Sequence, residues 1–313
     1  MPAHLSPTLS CSKATNVALF DFVAGPDASD LSLADALTQA DTLAQSSGRG
    51  VIIGLKPGDR AGNYLFDELD IAPGVNLFGA SPEVVRLDGQ FNFSGAGRRE
   101  LRNISILQST DKRCLNIAPS GFSVILVRGG TYQSNSGASA VAVVEVGTAS
   151  GVFIASQAEF LALTGNPEPV IKQLAGTVSI QNNCLVSPFD YTTPALTISS
   201  GSTFIRRSEI FNPISLLGGS MLMEFVEWDA FQLSPLAGTA LTMDGGAFAT
   251  LRSVKVVQAD GQTAPVFDNA GGGGTVFHDM MSVEHFEFTG AGTLFAVGIT
   301  ETRLRERSGT AIP

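Results

Sequence analysis

Three carboxylates in the second half of the chain, Glu224, Asp244 and Asp268, are spaced 20 and 24 residues apart. That interval matters if the chain winds in coils, because residues one coil apart then stack on the same outer face. Two carboxyl groups about 5–5.5 Å apart suit a retaining glycosidase, and about 6.5–9.5 Å an inverting one. Glu227 and Asp229 lie close to the first of these acids. The chain holds 29 acidic residues, however, and that abundance also produces such spacings without any chemistry. Trp228, the only Trp, sits between Glu227 and Asp229. It is a ligand-stacking platform for a sugar ring if exposed and a core residue if buried.

Other chemistries find less support. His278 and His285, seven apart, point to opposite faces of a continuous strand and make poor zinc co-ligands. With three histidines in all, a His-based triad has little to draw on. The run Gly271-Gly272-Gly273-Gly274 lacks the following Lys-Ser/Thr of a phosphate loop and reads as a turn. Cys11, Cys114 and Cys184 have no metal-ligand spacing, and the last two sit beside apolar runs, as buried core cysteines do. No metal and no cofactor is expected. The formal net charge of -10 argues against a nucleic-acid groove and against anionic membranes, which both call for clustered Lys and Arg. No run of about 18 apolar residues is present for a membrane span. The first residues, Met-Pro-Ala-His-Leu-Ser-Pro, lack the basic start and apolar core of a signal peptide. The expected partner is a glycan or another protein.

Positioning any such site requires repeated short strands, and the sequence supplies them. Between Val51 and Ile106, apolar runs such as Val51-Ile52-Ile53, Val75-Asn76-Leu77-Phe78 and Ile104-Ser105-Ile106 are separated by Gly, Pro, Asp and Asn. Later runs, including Ala195–Ile198, Ser220–Met223, Ala240–Met243 and Thr293–Ala296, recur at roughly 20–28 residues, a solenoid period. Ahead of them, Leu33, Leu37, Ala40 and Ala44 form a helical stripe, with Ser32 and Asp35 placed to cap it and Gly48 to end it. This predicts a helix within 31–47 that covers the open N-terminal end of the stack. Residues 1–29 read as an arm that docks on the first coil or on a neighbour. A capping box at Ser156/Glu159 with Gly165 behind it predicts a short helix, making 150–176 an excursion from the stack. The solenoid is expected over 30–300, and the alternating charges of 301–313 read as a tail.

The segments Gly50-Val51-Ile52-Ile53-Gly54-Leu55-Lys56-Pro57-Gly58, Tyr64 and Pro73-Gly74-Val75-Asn76-Leu77-Phe78-Gly79, after the helix-like Leu33–Ala44, resemble the N-terminal part of the pectin-lyase-like superfamily. The resemblance covers about residues 30–110 and implies an all-β, right-handed, single-stranded parallel β-helix. That fold serves polysaccharide lyases, glycosidases, phage tailspikes and adhesins, so it does not name one activity. The Asp-rich calcium cluster of the lyase branch has no counterpart here, and the pair Arg206-Arg207 is explained by Glu209. The expectation is a virion-exterior protein of tailspike, fibre or decoration type, synthesised in the cytoplasm and released by lysis. It would attach to a host surface glycan or to another virion protein, as a homotrimer by resemblance. The alternative is a polysaccharide depolymerase, a glycoside hydrolase using a carboxylate pair.

Overall fold

The computed structural model describes residues 20–57, 64–134, 141–163, 165–189, 193–229, 239–244, 246–257, 266–269, 274–278, 281–282, 287–290, 293–297, 305–306 and 310–312. Cys11 and His285 lie outside them, as do Gly271, Gly272 and Gly273 and most of the two terminal segments.

The chain is a parallel β-solenoid. One face, here face A, is a 13-stranded sheet whose neighbours are all parallel, running from Phe22–Ala24 through Val51–Leu55 to Thr310–Ile312. At about 4.8 Å between strands, its twelve steps extend roughly 58 Å. The other side starts with two long strands, Tyr64–Asp70 and Arg86–Phe93. Leu87 in the second pairs with Ile106, whereas Phe91 pairs with Leu115. From there the single long strand gives way to two short ones per coil, and the solenoid becomes three-sided. Face B then runs through Ser105–Leu107, Thr131–Gln133, Glu159–Ala162, Leu185–Pro188, Glu209–Phe211, Glu227–Asp229 and Lys255–Val257. Face C runs through Leu115–Ile117, Val144–Val146, Ile171–Gln173, Leu196–Ile198, Ile214–Leu216 and Thr239–Met243.

The interior follows from the two-residue period of strands. In face A, Ile53, Leu77, Leu101, Val127, Ala155, Ile180, Ile205, Met223 and Leu251 lie in register on successive strands and are all fully buried. Burial of one such aliphatic side chain contributes about 1.5–3 kcal/mol. The next inward column holds one charged residue. Arg99 stands in register with Ile125, which in turn faces Phe153, and its side chain is inaccessible to solvent. It donates from Nε to the Ile71 carbonyl at 3.0 Å and from Nη1 to the Gly95 carbonyl and Ser123 Oγ, both at 2.6 Å. A guanidinium here holds together the turn before its own strand, the preceding coil and the following one.

The helix Leu33–Ser47 buries Leu33, Ala36, Leu37, Ala40 and Ala44 against the first coils. Ser32 accepts from the Asp35 backbone N–H at 3.1 Å and donates to its carboxylate at 2.7 Å. Gly48, at φ 65°, ends the helix and returns its N–H to Ala44. Within the segment read as an arm, Phe22–Ala24 adds to Val51–Leu55 as a parallel strand, and residues 1–19 lie outside the described residues. Cys114 and Cys184 are buried free thiols.

Two expectations are corrected. The described residues of 156–165 form no helix: Gly151–Ser156 and Glu159–Ala162 are strands on faces A and B, in register with both neighbours. Ser156 and Glu159 imitate a cap, but Phe153, Ala155, Phe160 and Ala162 are buried with a strand's alternation and Gln157 turns the corner at φ 54°. The described residues of the charged tail are strands of the ladder, Arg305–Glu306 beside Glu287–Phe288 and Thr310–Ile312 beside Thr293–Phe295.

Candidate functional site

Of the acids singled out by their spacing, Glu224 stands apart from Asp244 and Asp268. Glu224 ends the face A strand Ser220–Glu224, where Arg206 Nε stands 2.7 Å and Arg252 Nη1 3.6 Å from its carboxylate. These arginines lie in register with it on the strands to either side, so Glu224 serves as a charge bridge between coils. Asp244 follows the face C strand Thr239–Met243, at the opposite edge of face A. The strand Phe248–Arg252 lies between those edges, and its four steps alone span roughly 13 Å, beyond the reach of either glycosidase geometry. Asp268 lies on face C, in register with Thr242. Trp228 is fully buried, donating Nε1–H to the Asn212 carbonyl at 3.0 Å and meeting Phe267 edge-on at 5.7 Å. It is a core residue and offers no ring to a ligand.

The chemically dense part of the surface is the corner where face A turns into face B. From Gly97–Arg102 to Phe248–Arg252 each coil places one or two residues in the left-handed region there: Asn103 (φ 53°), Gly129 and Gly130 (71° and 102°), Gln157 (54°), Asn182 and Asn183 (57° and 63°), Arg207 (48°), Phe225 (55°) and Ser253 (51°). Their backbone N–H groups donate to the next coil, among them Asn103 to Arg128, Asn182 to Arg206, Arg207 to Glu224 and Phe225 to Arg252, at 2.8–3.1 Å. Asn and Gly tolerate this conformation, whereas a bulky aromatic does so only at a cost. Phe225 nonetheless occupies it, with 59% of its surface exposed.

A groove of about 450 Å³ opens on the face B side of this corner, lined by Phe225 and by Glu159, Asn183, Arg207, Glu209 and Glu227 among others. Glu209 and Glu227 are in register on adjacent strands, so their side chains leave the backbone about 4.8 Å apart. Lys255 Nζ reaches Glu227 at 3.0 Å, and Glu159 accepts from Thr131 Oγ1 at 2.9 Å. A second groove of about 450 Å³ lies on the face A side, with Leu126 and Ile154 in its lining beside Arg128, Ser156, Gln157, Gln181 and Asn182. Asn182 and Asn183, consecutive in the chain, line one groove each.

Among the described residues no group of three or more His, Cys, Asp or Glu side chains is placed to hold a metal ion. No helix among the described residues is long and apolar enough to cross a membrane. No protein-family model, curated protein or solved structure matches this chain.

Sequence spacing missed this corner because its members are identified by register and not by residue type. One signal was present: Asn103, Gly129 and Asn182-Asn183 each follow a face A strand, and Phe225 stands at the corresponding position of its own coil.

Proposed function

We propose that this protein is a glycan-binding attachment protein built on a right-handed, pectin-lyase-like β-helix and displayed on a virion exterior as a homotrimer. The observation that carries the glycan reading is Phe225, exposed and held in a strained backbone conformation beside carboxylate, amide and guanidinium side chains. A pyranose ring has one apolar C–H face and a rim of hydroxyls. An aromatic ring takes the face, and carboxylates and amides take the rim. Strain at an exposed position persists where the surrounding structure holds it, and such positions cluster at ligand sites. The virion reading rests on the sequence: 15% charged residues, a net charge of -10 and a solenoid architecture used by tailspikes and fibres. Calorimetric titration with purified host-surface polysaccharides tests the glycan reading, with Phe225→Ala expected to weaken binding at least tenfold. A polysaccharide bound equally by both proteins would refute it. Mass spectrometry of purified particles tests the location, and absence of the chain there would sink it.

One observation favours a second reading, a depolymerase: Glu209 and Glu227 project in register into the same groove. Reducing-end release from the bound polysaccharide, lost in Glu209→Gln and Glu227→Gln while binding persists, would establish it.

A further inference from the structure

We infer that the ligand is anionic, and that its carboxylate or sulfate group is held in the face A groove by Arg128. This rests on the glycan reading above and adds a charge and a second subsite to it. Face A, over its strands from Val51–Leu55 to Phe248–Arg252, carries five outward arginines, Arg98, Arg102, Arg128, Arg206 and Arg252, against two outward glutamates, Glu100 and Glu224. Such an excess is unexpected on a chain of net charge -10. Face B reverses it, with Glu159, Glu209, Glu227 and Asp229 against Lys255 over the strands from Ser105–Leu107 to Lys255–Val257.

The surplus is greatest at one end of the groove. Glu100 alone serves three guanidinium groups: Arg102 Nη2 at 2.9 Å, Arg128 Nε at 3.5 Å and Arg98 Nη2 at 3.8 Å. Arg102 also lies over the Phe78 ring at 4.7 Å. Of the three, Arg128 is the one that lines the groove, 49% exposed and 3.5 Å from a carboxylate it shares with two other guanidinium groups. Its fork of N–H donors matches a carboxylate or sulfate oxygen pair. Along the groove, Arg128 is in register with Ser156, Ser156 with Gln181, and Gln181 with Arg206. Arginines therefore stand three strand steps apart, roughly 14 Å, with hydroxyl and amide groups between. Through Asn182 and Asn183 the path continues over the corner to Phe225.

The test measures binding of three dextrans of equal length, neutral, carboxymethylated and sulfated, with polyglutamate as a charged chain lacking sugar rings. Either charged dextran is expected to bind at least tenfold more tightly than the neutral one, weakening with added salt, and the two charged forms show which oxyanion is preferred. Arg128→Glu should abolish that advantage. Gln181→Glu, which leaves the Glu100 cluster intact, should do the same and guards against misfolding of the first variant. Equal binding of all three dextrans, binding by neither charged form, or charge-dependent binding unchanged by both variants overturns the inference. If dextrans bind through Phe225 regardless of charge, the glycan reading stands and this subsite falls. If polyglutamate matches the charged dextrans and Phe225→Ala changes nothing, the sugar platform falls and the arginine subsite stands.

Discussion

Replacing Phe225 by Asn should make the protein more stable while removing its ligand. An L-residue in the left-handed region costs roughly 1–2 kcal/mol, and Asn recovers much of that by local hydrogen bonding. The ring contributes little packing in return, since 59% of the residue is exposed. The backbone N–H to Arg252 at 3.1 Å is indifferent to the side chain. The net expectation is a gain of about 1 kcal/mol, or a rise in melting temperature of about 2 °C for a chain of this size. Phe248→Asn is the control. That residue is also exposed, 43%, but lies in the extended strand Phe248–Arg252, where losing an aromatic costs about 0.5–1 kcal/mol. Thermal and urea unfolding of the two variants should therefore move in opposite directions. If Phe225→Asn loses stability as Phe248→Asn does, the ring is packing and not a strained platform, and the reasoning that selected the site fails.

Three further outcomes follow from the fold. Gly130→Ala should lose about 2–4 kcal/mol, because at φ 102° an added Cβ would stand 1.8 Å from the Ile104 carbonyl oxygen; a loss under 1 kcal/mol in urea unfolding would contradict this. Cys114 and Cys184 should resist a thiol reagent at pH 8 until the chain unfolds, since burial pushes both thiols above their ordinary range; peptide mass spectrometry showing rapid native labelling would refute it. Asp21 receives the Arg49 guanidinium at 2.5 Å, a hydrogen bond that holds its carboxyl below the usual range. Its contribution is therefore present above the unfolded value near ~3.9 and is lost as pH falls through the lower folded value. The stability gap between wild type and Asp21→Asn should narrow as pH falls from 6 to 3, and a gap unchanged over that window would be evidence against the pair.

The cap helix was legible because its signals are local: Ser32, Asp35, the apolar stripe and Gly48 lie within one stretch of chain. The solenoid was legible because its inward residues repeat with a strand's alternation. The site was not, since stacking depends on coil length and coil length varies. Ser202 and Ser220, stacked and hydrogen-bonded, are 18 residues apart, whereas Glu227 and Lys255 are 28 apart. A spacing of 20 therefore left Glu224 and Asp244 on opposite edges of face A, while Glu209 and Glu227 met in register. Ser156 and Glu159 misled for a related reason: a cap is defined over four residues, and a sharp corner between strands satisfies the same spacing. The two acids beside Trp228 left exposure and burial both open, and burial holds because on a strand the neighbours face the other way.

The corner column separates what must be kept from what is free to vary. At each coil the main-chain N–H carries the stacking, and the conformation is already paid for by the ladder around it, so the side chain mounted there is chosen independently of its neighbours above and below. Asn, Gly, Gln, Arg, Phe and Ser all occupy the position in this one chain. A single substitution can therefore change one rung of this edge without disturbing the next. On the glycan reading proposed above, selectivity along such an edge is composed rung by rung.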